Sequence, residues 1–183
     1  MATNYNPRII TDNLVFLVDA GNVKSYAGDV ISETAGPAYG YYGGGQPSPT
    51  AVSTVDRIDY SSDTSTAAAK GPLSDARGYT AATGNISYGY WAGGYPTKSI
   101  VDRIDYSNDT ATAAAKGPLS QTRGYLGATG TNSYGYFGGG FDPGARSTVD
   151  RIDYSSDTGT TPTKGPLDVG RDYLAATGNA SYG

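Results

Sequence analysis

The sequence predicts an all-β protein made of tandem copies of one unit, and three observations carry that reading. A phrase recurs almost unchanged, as VDRIDYSSDT from Val55, VDRIDYSNDT from Val101 and VDRIDYSSDT from Val149. Turn formers are abundant, with 27 Gly and 10 Pro among 183 residues, and Ala runs such as Ala67 to Ala69 are too short and too tightly bounded by Gly-Pro to make long helices. The rings are 17 Tyr against 3 Phe and 1 Trp, so most of them carry a hydroxyl that needs a partner or water.

The repeat comes first, because overlooking one misassigns the whole fold. Tyr-Gly pairs at Tyr39, Tyr88, Tyr134 and Tyr182 lie 49, 46 and 48 residues apart, the length of a four-stranded propeller blade rather than of a helical pair. The differences sit in one place. Between each glycine doublet and the next Ser-Thr-Val or Ser-Ile-Val lie Gln46 to Val52, Tyr95 to Lys98 and Phe141 to Arg146, of seven, four and six residues, and removing them leaves 42 each time. A loop that changes length and composition at the end of a fixed scaffold is a usual place for recognition. An exposed tip free to drift shows the same pattern. The candidate contact residues are Gln46, Tyr95, Lys98, Phe141, Asp142 and Arg146, with Trp91 on the strand before the loop.

Three strands can be read within the constant part. YGYYGGG, YGYWAGG and YGYFGGG are short, aromatic and end in Gly-Gly, whereas RGYTAATG, RGYLGATG and RDYLAATG follow a Gly-Pro-Leu turn. STVDRIDY alternates, with Val55, Arg57 and Asp59 on one face and Asp56, Ile58 and Tyr60 on the other. Neither face is wholly apolar, which suits a sheet pressed on both sides by neighbours, with Arg57 paired to a carboxylate. The Ser-Ser-Asp-Thr that follows is turn chemistry, in which short oxygen-bearing side chains bond the backbone two residues on. Asp63, Asp109 and Asp157 therefore read as structural, since one such turn offers too few carboxylates for calcium.

Composition excludes much chemistry. The 13 basic and 17 acidic residues give a net charge of -4 without any basic run, against nucleic-acid binding. No Cys or His occurs, which removes disulfides, thiolate and imidazole metal sites, and Ser-His-Asp or cysteine nucleophiles. The start, MATNYNPRIITDN, lacks a signal-peptide layout, and no apolar run reaches spanning length. The expectation is a soluble protein made in a cytoplasm, without membrane insertion, metal or cofactor.

From Arg77 to Arg123 the line RGYTAATGNISYGYWAGG, the variable loop and SIVDRIDYSNDTATAAAKGPLSQTR resembles one kelch-type β-propeller repeat. The likeness lies in an Arg-led inner strand, a second strand closing on Tyr90, Gly93 and Gly94, and a third running from Val101 to Asp105. Tyr41, Gly44 and Gly45, and Tyr136, Gly139 and Gly140, repeat the signature. The outer strand departs from the family, with AAAK, AAAK and TPTK where a Trp is usual, implying a thinner rim. Ser155 to Thr161 resembles the Asp box of sialidase-like propellers, although Pro162 stands where the aromatic should follow. Sialidases need acidic helpers, yet the single Glu, Glu33, lies outside the repeats, and kelch-type copper oxidases need His and Cys. The expectation is therefore a protein that is not an enzyme.

The resemblance covers residues 36–183 and implies about three four-stranded blades. Propellers have about four to eight, so the expected propeller is part of a longer chain or is shared between chains, with a homo-oligomer as one form. The final Tyr182-Gly183, standing where a Tyr-x-Gly-Gly signature would continue, favours the longer chain.

Residues 1–35 do not fit the repeat. NLVFLVDAGNVKSYAGD holds an apolar strand, Leu14, Val15, Phe16, Leu17 and Val18, then an Asp-Ala-Gly-Asn turn. It is similar to the openings of tail-fibre and other structural proteins of marine tailed bacteriophages, which also carry Tyr-Gly-Tyr-Phe-Gly-Gly-Gly arrays. That resemblance implies a virion protein attached to other virion proteins through this segment, its propeller loops turned to a host-surface glycan or protein. An ordinary edge strand on the first blade is the plainer reading of the same segment. A purely structural virion subunit, a cellular kelch-type interaction module and, more distantly, a glycan-active sialidase-like propeller are the alternatives.

Overall fold

The computed structural model describes residues 38–178. Expectations about the attachment stretch Leu14 to Val18 and the strand start at Tyr182 lie outside those residues. Among the described residues eleven strands form three antiparallel sheets, each a simple meander. The first sheet holds β1 (Tyr39–Gly43), β2 (Val55–Asp59) and β3 (Ala68–Lys70). The second holds β4 (Ala81–Gly84), β5 (Tyr88–Ala92), β6 (Val101–Asp105) and β7 (Ala114–Ala115), and the third β8 (Gly127–Gly130), β9 (Tyr134–Gly138), β10 (Val149–Asp153) and β11 (Thr163–Lys164). Among the described residues no helix is long and apolar enough to cross a membrane.

The recurring phrase is a strand of five residues rather than eight. Its alternation stops at Asp59, Asp105 and Asp153, whose carboxylates accept the backbone N–H and the hydroxyl of Ser61, Ser107 and Ser155 at 2.9 and 2.6 Å. These bonds offer the chain a local alternative to the ladder, and Tyr60–Ser62 and Tyr106–Asn108 turn as short 3-10 segments. Both faces of the second sheet are covered, as the mixed alternation predicts, with Val101, Asp102 and Ile104 all buried. The outer strands β7 and β11 are only two residues long, so the rim is thin.

Arg57 finds its carboxylate in the neighbouring sheet. Asp109, in the turn after β6, accepts from Arg57 at 2.8 Å, from the Tyr41 hydroxyl at 3.0 Å and from Lys70 at 3.2 Å. One unit on, Asp157 receives Arg103 at 2.7 Å, Tyr90 at 2.9 Å and Lys116 at 3.3 Å. The carboxylates of Asp109 and Asp157 hold sheet to sheet, whereas the expected bonds to the turn's own backbone two residues on are made by Asp59, Asp105 and Asp153. Tyr41 stacks on Tyr106 and Tyr90 on Tyr154, both at 4.8 Å between centroids.

The glycine doublets close the same joints. Gly44, Gly93 and Gly139 have φ of 72°, 67° and 66°, a left-handed backbone that costs Gly nothing. The following glycines then bond the Arg that leads the next unit, Gly45 N–H to Arg77 O at 3.0 Å and Gly94 N–H to Arg123 O at 3.0 Å. Arg77 and Arg123 themselves precede their inner strands. Each is buried and paired, Arg77 to Asp102 at 3.0 Å and Arg123 to Asp150 at 2.8 Å, since a charge taken out of water must be matched.

Candidate functional site

β4 and β8 are each entered through a Tyr in a strained backbone, and the segment after β11 carries a third such Tyr. Tyr79, Tyr125 and Tyr173 have φ of 55°, 62° and 51°, a region that non-glycine residues occupy at some energetic cost. The conformation aligns the entries to the second and third sheets and the segment after β11 along one line. Tyr125 N–H donates to Tyr79 O at 2.9 Å, and Tyr173 N–H to Tyr125 O at 3.0 Å. The rings follow the backbone, with centroids 4.3 and 4.4 Å apart.

The variable loop joins this column. Tyr95 lies 6.4 Å from Tyr79 and 6.3 Å from Tyr125, because Gly78 and Tyr95 exchange backbone hydrogen bonds. Gly124 and Phe141 make the equivalent bridge one unit later. Tyr79, Tyr95, Phe141 and Tyr173 are all exposed, from 39% for Phe141 to 72% for Tyr173. The result is an aromatic surface held by backbone bonds at the end of the sheets where β4 and β8 begin.

The loop residues named from the sequence fall into three groups. Tyr95, Phe141 and Gln46 are exposed at this end, and Gln46 sits beside Gly78. Lys98 is paired with Asp75 at 3.2 Å. Asp142 accepts the Thr122 hydroxyl through its side chain and Arg146 through its backbone carbonyl, so these two charged residues shape the loop from within. Trp91 is a correction. Only 4% exposed, it packs against Gly43 of the first sheet and Gly89 of its own strand, filling the space that two missing side chains leave.

Tyr79, Tyr125 and Tyr173 were not singled out in the sequence, although each is the third residue of RGYT, RGYL and RDYL. Their recurrence was visible. Their positive φ, which brings the rings together, was not.

Desolvation first, then hydrogen bonding with Tyr173 and the nearness of the other rings, pushes the Tyr125 hydroxyl up to about 12. Such a surface offers ring faces and hydroxyls, which suit sugar or protein contact at small cost in side-chain entropy. Among the described residues no cluster of three or more Asp or Glu gathers as a metal site would require. A shallow hollow of about 360 Å³ lined by Asn85, Asn132, Asp153 and Ser155 lies at the opposite end of β4, among the turns.

No family model matches the chain, and no curated protein does. Among solved structures 107 chains are similar to it. One, titled "Structure of YjhT", aligns with a TM-score of 0.57 and 15% identity over 69% of this chain. The likeness is one of fold alone. This chain spans 42% of that one.

Proposed function

We propose that the three sheets are kelch-like propeller blades and that the chain is a non-enzymatic structural protein of a phage virion, presenting its aromatic end to a glycan on the host surface. The observation that carries the reading is the column of Tyr79, Tyr125 and Tyr173, extended by Tyr95 from a loop of variable length. Ring faces stack on the C–H faces of sugars, and a fixed array spaced by backbone bonds presents several at once. The propeller assignment is supported by the meander sheets and by the sheet-to-sheet joints at Asp109 and Asp157 that repeat from unit to unit.

In this reading Leu14 to Val18 fasten the chain to other virion proteins and the loops face outward. Purified host-envelope polysaccharide is the probe. Wild-type protein binds it, and replacing residues 95–98 and 141–146 by Gly-Ser weakens binding at least about tenfold; unchanged binding removes those loops from the site. Recovery of the protein from cell extract but never from purified particles replaces the virion reading by a cellular interaction module.

A further inference from the structure

The chain builds one joint twice, and among the described residues it also carries both halves of a third. Asp109 and Asp157 are buried by three donors each, but the equivalent Asp63 is exposed and has no partner among the described residues. The donor set that would meet it is Tyr136, Arg151 and Lys164, at the positions of Tyr41, Arg57 and Lys70. Arg151 lies over the Tyr134 ring at 4.4 Å, as Arg57 lies over Tyr39 and Arg103 over Tyr88. Its guanidinium is thus oriented like theirs, yet among the described residues no carboxylate reaches it and its Nε is buried without a hydrogen-bond partner.

Four further features agree in register. Tyr60, the counterpart of Tyr106 and Tyr154, is 59% exposed, and Tyr42, the counterpart of the buried Trp91 and Phe137, is 64% exposed. Gly71 and Gly117 donate to Asp109 O and Asp157 O at 2.8 Å, and a Cβ on either would overlap backbone of the next sheet, whereas Gly165 meets nothing within 4 Å. Arg171 holds the place of Arg77 and Arg123, but among the described residues its guanidinium pairs only with Asp168, at 3.5 Å, in the open; Asp56 holds the place of Asp102 and Asp150. The edge of β1 is unpaired among the described residues, while residues 175–178, which align with β4 and β8, form no ladder.

We propose that two copies of the chain join head to tail, the first sheet of each docking on the third sheet of the other. Residues 175–178 of one copy then complete the three-stranded sheet of the second, Ala175 facing Gly43 and Gly178 facing Gly40, as Ala81 faces Ala92 and Gly84 faces Gly89. That placement alone brings Asp63 onto Tyr136, Arg151 and Lys164, Tyr60 onto Tyr136, Arg171 onto Asp56 and Gly165 onto the Asp63 backbone. A second copy is the occupant because every copy carries both complementary halves. The joint follows from the repeats; closure at two copies rests on the propeller reading, since two sets of three sheets make six blades, within the range of about four to eight, and three sets exceed it.

Light scattering during size exclusion tests this on the full chain. The expected mass is twice 18.8 kDa. Asp63→Arg and Arg151→Asp each raise the dissociation constant roughly 30-fold or more, because each leaves a charge buried against its like. Mixing the two variants restores the dimer, since one joint is then wild type and the other has its charges exchanged. Gly165→Ala, whose added methyl meets nothing within 4 Å among the described residues of its own chain, melts like the wild-type monomer yet does not dimerise. A wild-type protein of 18.8 kDa at all concentrations overturns the proposal and leaves glycan binding by a single copy standing. Assemblies larger than two overturn closure and count against six blades, whereas a dimer that ignores polysaccharide keeps the joint and refutes the binding reading.

Discussion

Arg77 and Asp102 meet at 3.0 Å with neither side chain exposed to solvent, and Arg123 and Asp150 repeat the pair at 2.8 Å one unit on. Each Arg also donates to a carbonyl of the second strand, Arg77 to Trp91 O at 3.3 Å and Arg123 to Phe137 O at 3.1 Å. Asp102 in turn accepts the Ser74 N–H and hydroxyl at 2.9 and 2.6 Å. The pair therefore ties the segment before β4 to two strands of the same sheet.

Removing one member leaves the other buried and uncompensated. Arg77→Met is expected to lower unfolding free energy by about 3–5 kcal/mol. Asp102→Asn costs less, because the amide oxygen still accepts from Ser74. The double variant loses less than the two singles together. Urea unfolding followed by Trp91 fluorescence measures all three.

Trp91 is the chain's single Trp, and its burial between Gly43 and Gly89 makes it a reporter of the first joint. Trp91→Ala is expected to cost about 3–5 kcal/mol. If Trp91 were instead a surface contact, the loss would stay within about 0.5 kcal/mol.

Gly117 and Gly159 approach each other across the second joint. A Cβ at Gly117 overlaps Gly159 backbone, whereas one at Gly159 meets nothing within 4 Å. Gly117→Ala destabilises by about 1–3 kcal/mol or more through overpacking. Gly159→Ala is neutral or slightly stabilising, consistent with Ala111 at the same position in the previous unit. Thermal melts of the two variants separate them.

Acid and alkali both weaken the joints, from opposite ends of the pH scale. Burial alone would raise the Asp109 carboxyl, but the Tyr41 hydrogen bond, Lys70 and Arg57 outweigh it and hold it below its ordinary value. Its contribution is thus complete above the unfolded carboxylate value of about 4 and is lost as pH falls through the lower folded one. Tyr106 is raised to about 12 by burial first and then by its neighbouring rings. The unfolded chain ionises from about pH 10, so stability declines between there and about 12. Stability against pH for wild type and Asp109→Asn checks the acid limb, which the variant flattens; tyrosinate absorbance checks the alkaline one.

The sheets were legible because their signals are local. Period, Gly-Gly doublets and the alternation of VDRID are properties of short segments, and each became a strand or turn near its expected place. The joints were legible only in part. A carboxylate for Arg57 could be foreseen from its place on a mixed face, but not that it would be Asp109, 52 residues away, since that pairing depends on how sheets stack. Trp91 was misread for a similar reason. Beside a variable loop it looks available, but Gly43 and Gly89 leave a slot that its ring fills. The tyrosine column escaped because three residues with positive φ carry no mark in composition, and their alignment exists only after the units are superposed in space.

The most direct measurement is saturation-transfer-difference NMR of a host-envelope oligosaccharide mixed with the protein, read together with the ring resonances of Tyr79, Tyr95, Tyr125 and Tyr173. Stacking predicts saturation of sugar ring protons, perturbation of those four tyrosines, and loss of both effects in the Tyr79→Ser, Tyr173→Ser double variant. Saturation that persists in that variant, with the four rings unperturbed in wild type, would contradict the account.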